Sequence, residues 1–88
     1  MKKFSRYYLV DTLTESIIGS FNAISSDMAR KIVEETYNSN EKLNIGKESH
    51  RLMRSLIIDE APETYDEVMS VCVDAKWQPV TLDGEVIE

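Results

Sequence analysis

The spacing of apolar and polar residues in the first half of the chain predicts two strands and then a helix. Residues 4–11, FSRYYLVD, are rich in the aromatic and β-branched side chains that favour strands. A turn at residues 12–15 leads into residues 16–24, SIIGSFNAI, which we interpret as a second strand, antiparallel to the first. Side chains in a strand alternate between its two faces. Four alternate residues of the second strand are therefore expected to share one face: Ile17, Gly19, Phe21 and Ala23.

Helical spacing begins after the second strand. Ser25, Ser26 and Asp27 are residues that cap a helix N-terminus, and the aspartate places negative charge at the positive end of the helix dipole. Five apolar residues then recur at helical intervals and define one stripe: Met28, Ala29, Ile32, Val33 and Tyr37. We therefore predict a helix over about residues 26–38.

The middle of the chain predicts a loop and a third strand. Residues 39–50 are polar and include Gly46, a composition typical of loops. His50, at the end of this segment, is interpreted as a solvated loop side chain. Residues 51–58, RLMRSLII, predict a strand that places Leu52, Leu56 and Ile58 on one face.

Two patterns compete over residues 64–75. Residues 64–67, TYDE, have the T-x-x-E form of a capping box, in which the threonine hydroxyl accepts from a backbone N–H of the first turn. The residues at helical spacing after the threonine are Tyr65, Val68, Met69, Cys72 and Lys76. The alternation of Met69, Val71 and Val73 favours a strand instead. We predict the helix and keep the strand as the alternative.

The last residues complete the predicted fold. Asp83-Gly84 between residues 78–82 and 85–87 is a hairpin signal. The element order is then ββα-β-α-ββ in one globular domain, residues 1–88. A sheet must bury an apolar face against another layer. The order therefore indicates the α+β class and a two-layer sandwich, an antiparallel sheet with one or two helices on one face.

Charge is distributed unevenly along the 88 residues, whose net charge is −6. Residues 1–54 hold nine Lys and Arg against seven Asp and Glu, a balance of +2, whereas residues 55–88 hold one Lys against nine acidic residues, a balance of −8. Non-specific binding to DNA or RNA depends on neutralisation of phosphates by Lys and Arg. The charge therefore disfavours direct nucleic-acid binding and favours a protein partner with a basic surface.

Features missing from the sequence limit the cellular compartment and the kinds of catalysis that we expect for this protein. No run of about eighteen apolar residues is present to span a bilayer, and Cys72 is the single cysteine, so a cytoplasmic protein without a disulfide is expected. The phosphate-loop, dinucleotide-binding and nucleophile-elbow motifs are missing, and the acidic residues do not follow EF-hand spacing. Nothing in their spacing brings Cys72 and His50 together, and Cys72 is interpreted as a small core residue. We therefore expect no enzymatic activity, no cofactor and no metal site.

Residues 59–67, DEAPETYDE, are the first candidate for a binding surface. Five of these nine residues are acidic, and the capping box accounts for only some of them. The candidate partner-binding residues are Asp59, Glu60, Glu63, Asp66, Glu67 and Asp74. The competing interpretation is an ordinary charged helix face with no partner.

Two further functions stay open. A basic strip with Tyr7 and Tyr8 as nearby aromatics would bind single-stranded nucleic acid by charge and stacking; its residues are Lys42, Lys47, Arg51 and Arg54, with His50 among them. Its competing interpretation is a solvated loop and strand face. A self-assembling structural protein would pair an edge strand, or the terminal ribbon at residues 80–87, with a neighbour, so a homodimer through an edge strand is a further possibility.

Residues 20–35, SFNAISSDMARKIVEE, end a strand, cap a helix and continue with Ala-Arg. In this form the chain resembles small phage-encoded accessory proteins with a ββαβ core, among them anti-CRISPR inhibitors and the short nonstructural proteins of microviruses. The likeness covers residues 7–58. It implies a phage or mobile-element protein that acts by binding in the host cytoplasm. The leading hypothesis is an inhibitor that mimics DNA and binds a basic surface of a host nucleic-acid-handling complex.

Overall fold

The computed structural model describes residues 3–37, 49–57 and 61–75. Six elements follow one another in these ranges: β1 (Ser5–Asp11), β2 (Ser16–Ala23), α1 (Ser26–Tyr37), β3 (His50–Ser55), α2 (Tyr65–Val71) and β4 (Cys72–Asp74). The predicted α+β class and the order of the first five elements are confirmed. The predicted terminal hairpin at residues 78–87 lies outside the described residues.

The four described strands form one antiparallel sheet in the order β2-β1-β3-β4. The two central strands, β1 and β3, place Leu9 opposite Leu52, and neither side chain is exposed to solvent. β1 is the most deeply buried strand, with residues 7–11 all buried. This sheet with α1 packed on one face is consistent with the predicted two-layer α+β sandwich, in its form with one helix on that face.

Alternate side chains of β1 and β3 pack into two different apolar clusters. Tyr7, Leu9 and Leu52 pack with Ala29 and Val33 of α1. Their sequence neighbours pack with α2, in a second cluster formed by Tyr8, Val10, Met53, Val68 and Cys72. Because neighbouring strand residues point to opposite faces, α1 covers one face of the sheet and α2 lies against the other. α1 contacts β2, whereas α2 contacts β3 and β4, so the two helices lie near opposite edges.

The N-terminus of α1 has the predicted cap. The Ser25 hydroxyl accepts a hydrogen bond from the Met28 N–H at 3.1 Å, and the Ser25 carbonyl accepts from the Ala29 N–H at 3.0 Å. On the outer side of the helix, Arg30 and Glu34 form the expected pair at 3.1 Å. Both side chains are more than a third exposed, so this pair adds at most about 0.5 kcal/mol.

A bulge in β2 makes one sequence prediction wrong. Leu9 pairs with Gly19 and Val10 with Ile17, so Ile18 is an extra residue on β2. The bulge shifts the alternation by one position. As a result Ile18 packs on the α1 side with Phe21, while Ile17 packs on the α2 side. The predicted common face of β2 therefore breaks at Ile17.

β3 is shorter than the predicted strand 51–58. It begins at His50 and ends at Ser55, where the serine hydroxyl accepts from the Ile57 N–H and donates to the Ile57 carbonyl, both at 3.1 Å. This local turn competes with extended pairing. Leu56, predicted to share the buried face of Leu52, is therefore 60% exposed.

Both competing patterns at residues 64–75 are right in part. α2 ends at Val71 and the chain continues as β4, so the predicted helix is wrong from Cys72 onward. Cys72 pairs with Ser55, and the Ala75 N–H donates to the Leu52 carbonyl at 2.9 Å. The open edge of β3 therefore offers backbone hydrogen bonds to residues 72–75. These residues would not form them if α2 continued beyond Val71.

Candidate functional site

The N-terminus of α2 carries the most concentrated exposed negative charge among the predicted site residues. Glu63, Asp66 and Glu67 are all exposed there. Asp59 and Glu60 lie outside the described residues. The structure therefore places three of the six predicted acidic residues within five positions of one another on one short segment.

The capping threonine explains why these carboxylates face solvent. The Thr64 hydroxyl accepts from the Glu67 N–H at 3.2 Å, and its carbonyl accepts from the Val68 N–H at 3.0 Å, which confirms the threonine half of the predicted box. Val68 is fully buried and holds one side of the helix against the sheet. The acidic side chains at positions 66 and 67 are left exposed at the positive end of the dipole, a favourable position for them.

A groove lined by four apolar residues and Glu67, which we call the apolar groove after those four residues, lies directly beside this acidic segment. Its volume is about 130 Å³, and its lining residues are Ile57, Ala61, Pro62, Glu67 and Val71. Glu67 belongs both to the groove and to the acidic segment. Ile57 is 39% exposed, Leu56 just before it is 60% exposed, and Met69 on α2 is 42% exposed. We name Glu63, Asp66 and Glu67 together with this groove the acidic groove site.

The apolar part of the site does not follow from the sequence pattern. That pattern predicts a strand over residues 51–58 with Leu56 on the same face as Leu52, and it places Met69 on the apolar stripe of a longer helix. The early end of β3 and the turn made by Ser55 expose Leu56 and Ile57 instead, and Met69 is exposed on α2 although its neighbour Val68 is buried. The only sequence signal is the position of this apolar run immediately before the acidic segment.

Asp74 belongs to a different part of the surface. It lies on β4 opposite Met53 and lines a second cleft of about 240 Å³. The other residues of this cleft come from the start of β1, the entry to α1 and the neighbouring strands: Ser5, Tyr7, Ile24, Ser25, Ser26, Arg54 and Ala75. The predicted acidic set is therefore divided between two sites.

The basic strip does not form one surface over the residues that can be placed. Lys42 and Lys47 lie outside the described ranges. Arg54 pairs with Tyr7 and Arg51 pairs with Val10, two residues that belong to opposite faces of the sheet. A ligand lying flat on one face would therefore contact one arginine and miss the other. Strand alternation already implied this, because residues three apart in a strand face opposite ways.

The two tyrosines proposed as stacking platforms are both buried. Tyr7 and Tyr8 are each 2% exposed. Tyr7 stacks on Phe21 inside the α1-side cluster, with ring centroids 6.1 Å apart. Neither ring offers a free face on which a base would stack, so their predicted role in nucleic-acid binding is wrong.

Tyr8 provides a direct test of this burial. Its hydroxyl is buried and has no hydrogen-bond partner among the residues that the structure describes. Removing a buried hydroxyl that has no partner relieves a desolvation penalty of about 1 kcal/mol or more. We expect Tyr8→Phe to raise the free energy of unfolding by about that amount in urea denaturation, with Tyr65→Phe as the half-buried control. A loss of stability on Tyr8→Phe would show that the hydroxyl is bonded.

His50 is a strand residue of the interior and not the solvated loop side chain that was predicted. It is 3% exposed and pairs with Asp11, which is 8% exposed, across β1 and β3. The His50 Nε2 atom lies 3.8 Å from Asp11 Oδ2. Sequence spacing gave no indication of this partner, because the two residues meet only when β1 and β3 pair.

Several donors converge on the Asp11 carboxylate. Burial by itself would raise the pKa of Asp11. The Ser49 side chain and the N–H groups of Leu13 and Thr14 oppose that effect, the Leu13 N–H donating at 2.9 Å. Together with adjacent His50 they hold the pKa of Asp11 below its ordinary value of 3.8. The Asp11 carboxylate therefore links the turn after β1, through the Leu13 N–H, with Ser49 just before β3.

No protein-family model, curated protein or solved structure matched this chain. Its surface is therefore the basis on which a function is inferred.

Metal binding and thiol reactivity depend on how metal-binding side chains are grouped in the described residues and on the environment of the Cys72 thiol. Within residues 3–37, 49–57 and 61–75, no three His, Cys, Asp or Glu side chains are grouped as metal ligands would be. Cys72 is buried in the α2-side cluster, as predicted, and burial raises the pKa of its thiol although the nearby Ser55 side chain acts to lower it. Across the same ranges, no helix has the length and apolar character needed to cross a membrane.

Proposed function

We propose that this protein is a non-enzymatic binding module whose acidic groove site contacts a basic surface on a protein partner. The observation that carries the proposal is the exposure of Glu63, Asp66 and Glu67 beside an apolar groove that shares Glu67. The resemblance to phage accessory proteins supports a more specific form. In that form the protein is an inhibitor, of the anti-CRISPR or DNA-mimic type, of a host nucleic-acid-handling complex in the cytoplasm.

The negative charge of the acidic groove site favours partners with a basic surface. The part of the chain that contains the site, residues 55–88, has a balance of −8, which exceeds the net charge of −6 because residues 1–54 have a balance of +2. Such a field attracts basic surfaces, repels phosphate backbones and accelerates encounter at low salt. Exposed carboxylates alone add little affinity, because each surface pair contributes only about 0.2–1 kcal/mol.

The groove supplies the apolar contact that charges lack. Protein interfaces derive most of their affinity from a few apolar or aromatic anchors that enter pockets at the centre of the contact. Ile57 and Val71 provide such a surface, and Glu67 lines the groove beside them. At about 130 Å³ the groove is smaller than the roughly 300–1,000 Å³ typical of small-molecule sites. Its size thus favours one side chain of a protein partner over a metabolite.

Charge reversal within the site tests the proposal. We expect Glu63→Lys combined with Asp66→Lys to abolish capture of the protein partner from host lysate, while the far-UV circular dichroism spectrum stays that of the folded protein. The matched control is Glu15→Lys combined with Glu35→Lys, which makes the same change in net charge at exposed positions away from α2. A stoichiometric protein that survives nuclease, binds wild type and control, and is lost with the site variant supports the proposal.

Two outcomes contradict it. Unchanged capture by the site variant would show that the acidic groove site is not used. Recovery of nucleic acid alone, lost after nuclease and weakened steeply by salt, would favour the alternative of a nucleic-acid-binding accessory protein that uses Arg51 or Arg54 with Lys42 and Lys47. The exposure of Arg54 in the larger cleft is the observation on its side.

A further inference from the structure

Apart from its bulge at Ile18, the outer edge of β2 lacks, within the described residues, the protection that natural sheets give to their edges. β2 is a terminal strand of the described sheet, and its eight residues, SIIGSFNA, include no charged residue and no proline. Edge strands usually carry lysine, proline or inward-facing charge, or are very short, because their open backbone groups pair readily with other strands. At the other end of the sheet, β4 follows this rule, with three residues and one of them Asp74.

Backbone pairing accounts for only one side of β2. Its ladder runs from Ser16 to Ala23 against β1, and within the part of the chain that the structure describes no second strand pairs with it. In an antiparallel ladder alternate residues direct their N–H and C=O groups away from the neighbouring strand. β2 therefore presents a row of donors and acceptors at its outer edge.

Apolar side chains flank this edge on both faces of the sheet. Ile18 and Phe21 lie on the α1 side and Ile17 on the α2 side, and all three are only partly buried. The bulge at Ile18 interrupts regular pairing near the start of the strand. The segment Gly19–Ala23 beyond it is regular, so a strand added there would gain both backbone hydrogen bonds and apolar cover.

We propose that β2 pairs antiparallel with β2 of a second copy of this chain, over the segment Gly19–Ala23, to join two sheets around a two-fold axis. Antiparallel self-pairing meets the requirement of a two-fold interface, in which the same patch serves both subunits. The proposal is independent of the acidic groove site, which lies near the opposite edge with α2.

Charge placement favours a second copy over a foreign strand. Two chains of net charge −6 repel one another, but the exposed acids of α2 and β4 lie at the far side of the sheet from β2. A basic foreign partner would be attracted towards that far side. β2 itself carries no acidic residue and the nearby Arg6 guanidinium is basic, so this edge exerts no such attraction on a basic partner, and the strand's sequence is free of charges that would repel a second copy.

Two lysines on the edge strand test the pairing. Ser20 and Asn22 are exposed and share a face of β2, so in antiparallel self-pairing the two positions of one copy lie near those of the other. We expect Ser20→Lys combined with Asn22→Lys to weaken dimerisation at least tenfold, about 1.4 kcal/mol or more, because like charges opposite one another oppose strand pairing. The matched control, Leu13→Lys with Ser70→Lys, adds the same charge at exposed positions on the β1–β2 turn and on α2.

Sedimentation equilibrium from micromolar to millimolar protein measures the outcome. Dimers of wild type and control, with a monomeric edge variant that keeps its circular dichroism spectrum, support the proposal. A monomeric wild type across the range overturns it, as does an edge variant that dimerises as tightly as wild type. If the edge variant unfolds, hydrogen exchange of wild type decides. Slower exchange within residues 19–23 at higher protein concentration supports the pairing, and unchanged exchange refutes it.

Discussion

Leu52→Ala is expected to lower the stability of the protein severely. Leu52 is fully buried on a central strand, pairs with Leu9 and packs against α1 through Ala29 and Val33. Truncating such a leucine removes buried methyl groups and leaves a cavity, which lowers the free energy of unfolding by about 2–5 kcal/mol. Since small domains have only about 5–15 kcal/mol in total, much of the population would unfold in mild denaturant.

Urea denaturation followed by far-UV circular dichroism measures this loss. Leu13→Ala is the matched control, since the same atoms are removed from a turn residue that is 81% exposed. The control is expected to change stability by less than about 0.5 kcal/mol. Equal midpoints for the two variants would show that Leu52 is not part of a packed core.

Asp11→Asn is expected to give the largest pH-dependent effect. The buried Asp11 carboxylate accepts from several donors and faces His50, and removing its charge takes about 1–3 kcal/mol from the stability at neutral pH. The pKa of Asp11 is lower in the folded protein than its ordinary value of 3.8. The unfolded chain therefore binds the proton first as pH falls, and the contribution of this carboxylate is fully present only above that ordinary value.

The stability of the wild type should consequently approach that of Asp11→Asn as pH falls from neutrality to below 3.8. Urea midpoints at a series of pH values, with Glu35→Gln as an exposed carboxylate control, measure the gap. A gap that stays constant over this range would mean that the Asp11 charge does not stabilise the fold.

Local patterns predicted the elements that local interactions are sufficient to form. The start of α1 was predicted correctly, because Ser25 caps the helix through the backbone of its own first turn. Thr64 begins α2 in the same way. The first two strands were found because their aromatic and β-branched residues favour extended chain and a short turn brings them together.

Predictions failed where a residue's environment is created by a distant segment. His50 is buried because Asp11 lies opposite it on β1. Cys72 leaves the helical pattern because β3 offers an open edge to pair with. Ile17 changes face because β2 must accommodate an extra residue against β1. In each case the deciding partner lies on another strand. The periodicity of apolar residues over a short stretch of sequence therefore cannot predict the contact.

The sequence by itself determined the α+β class, the helix caps, the missing catalytic motifs and the excess of negative charge in the last third of the chain. Only the tertiary structure decided which charges act together. It separated Asp74 from the carboxylates of α2, placed Arg51 and Arg54 on opposite faces, and set exposed Ile57 beside Glu67. Charge and capping are properties of residues and their near neighbours, whereas a shared surface depends on strand register and on where each strand ends.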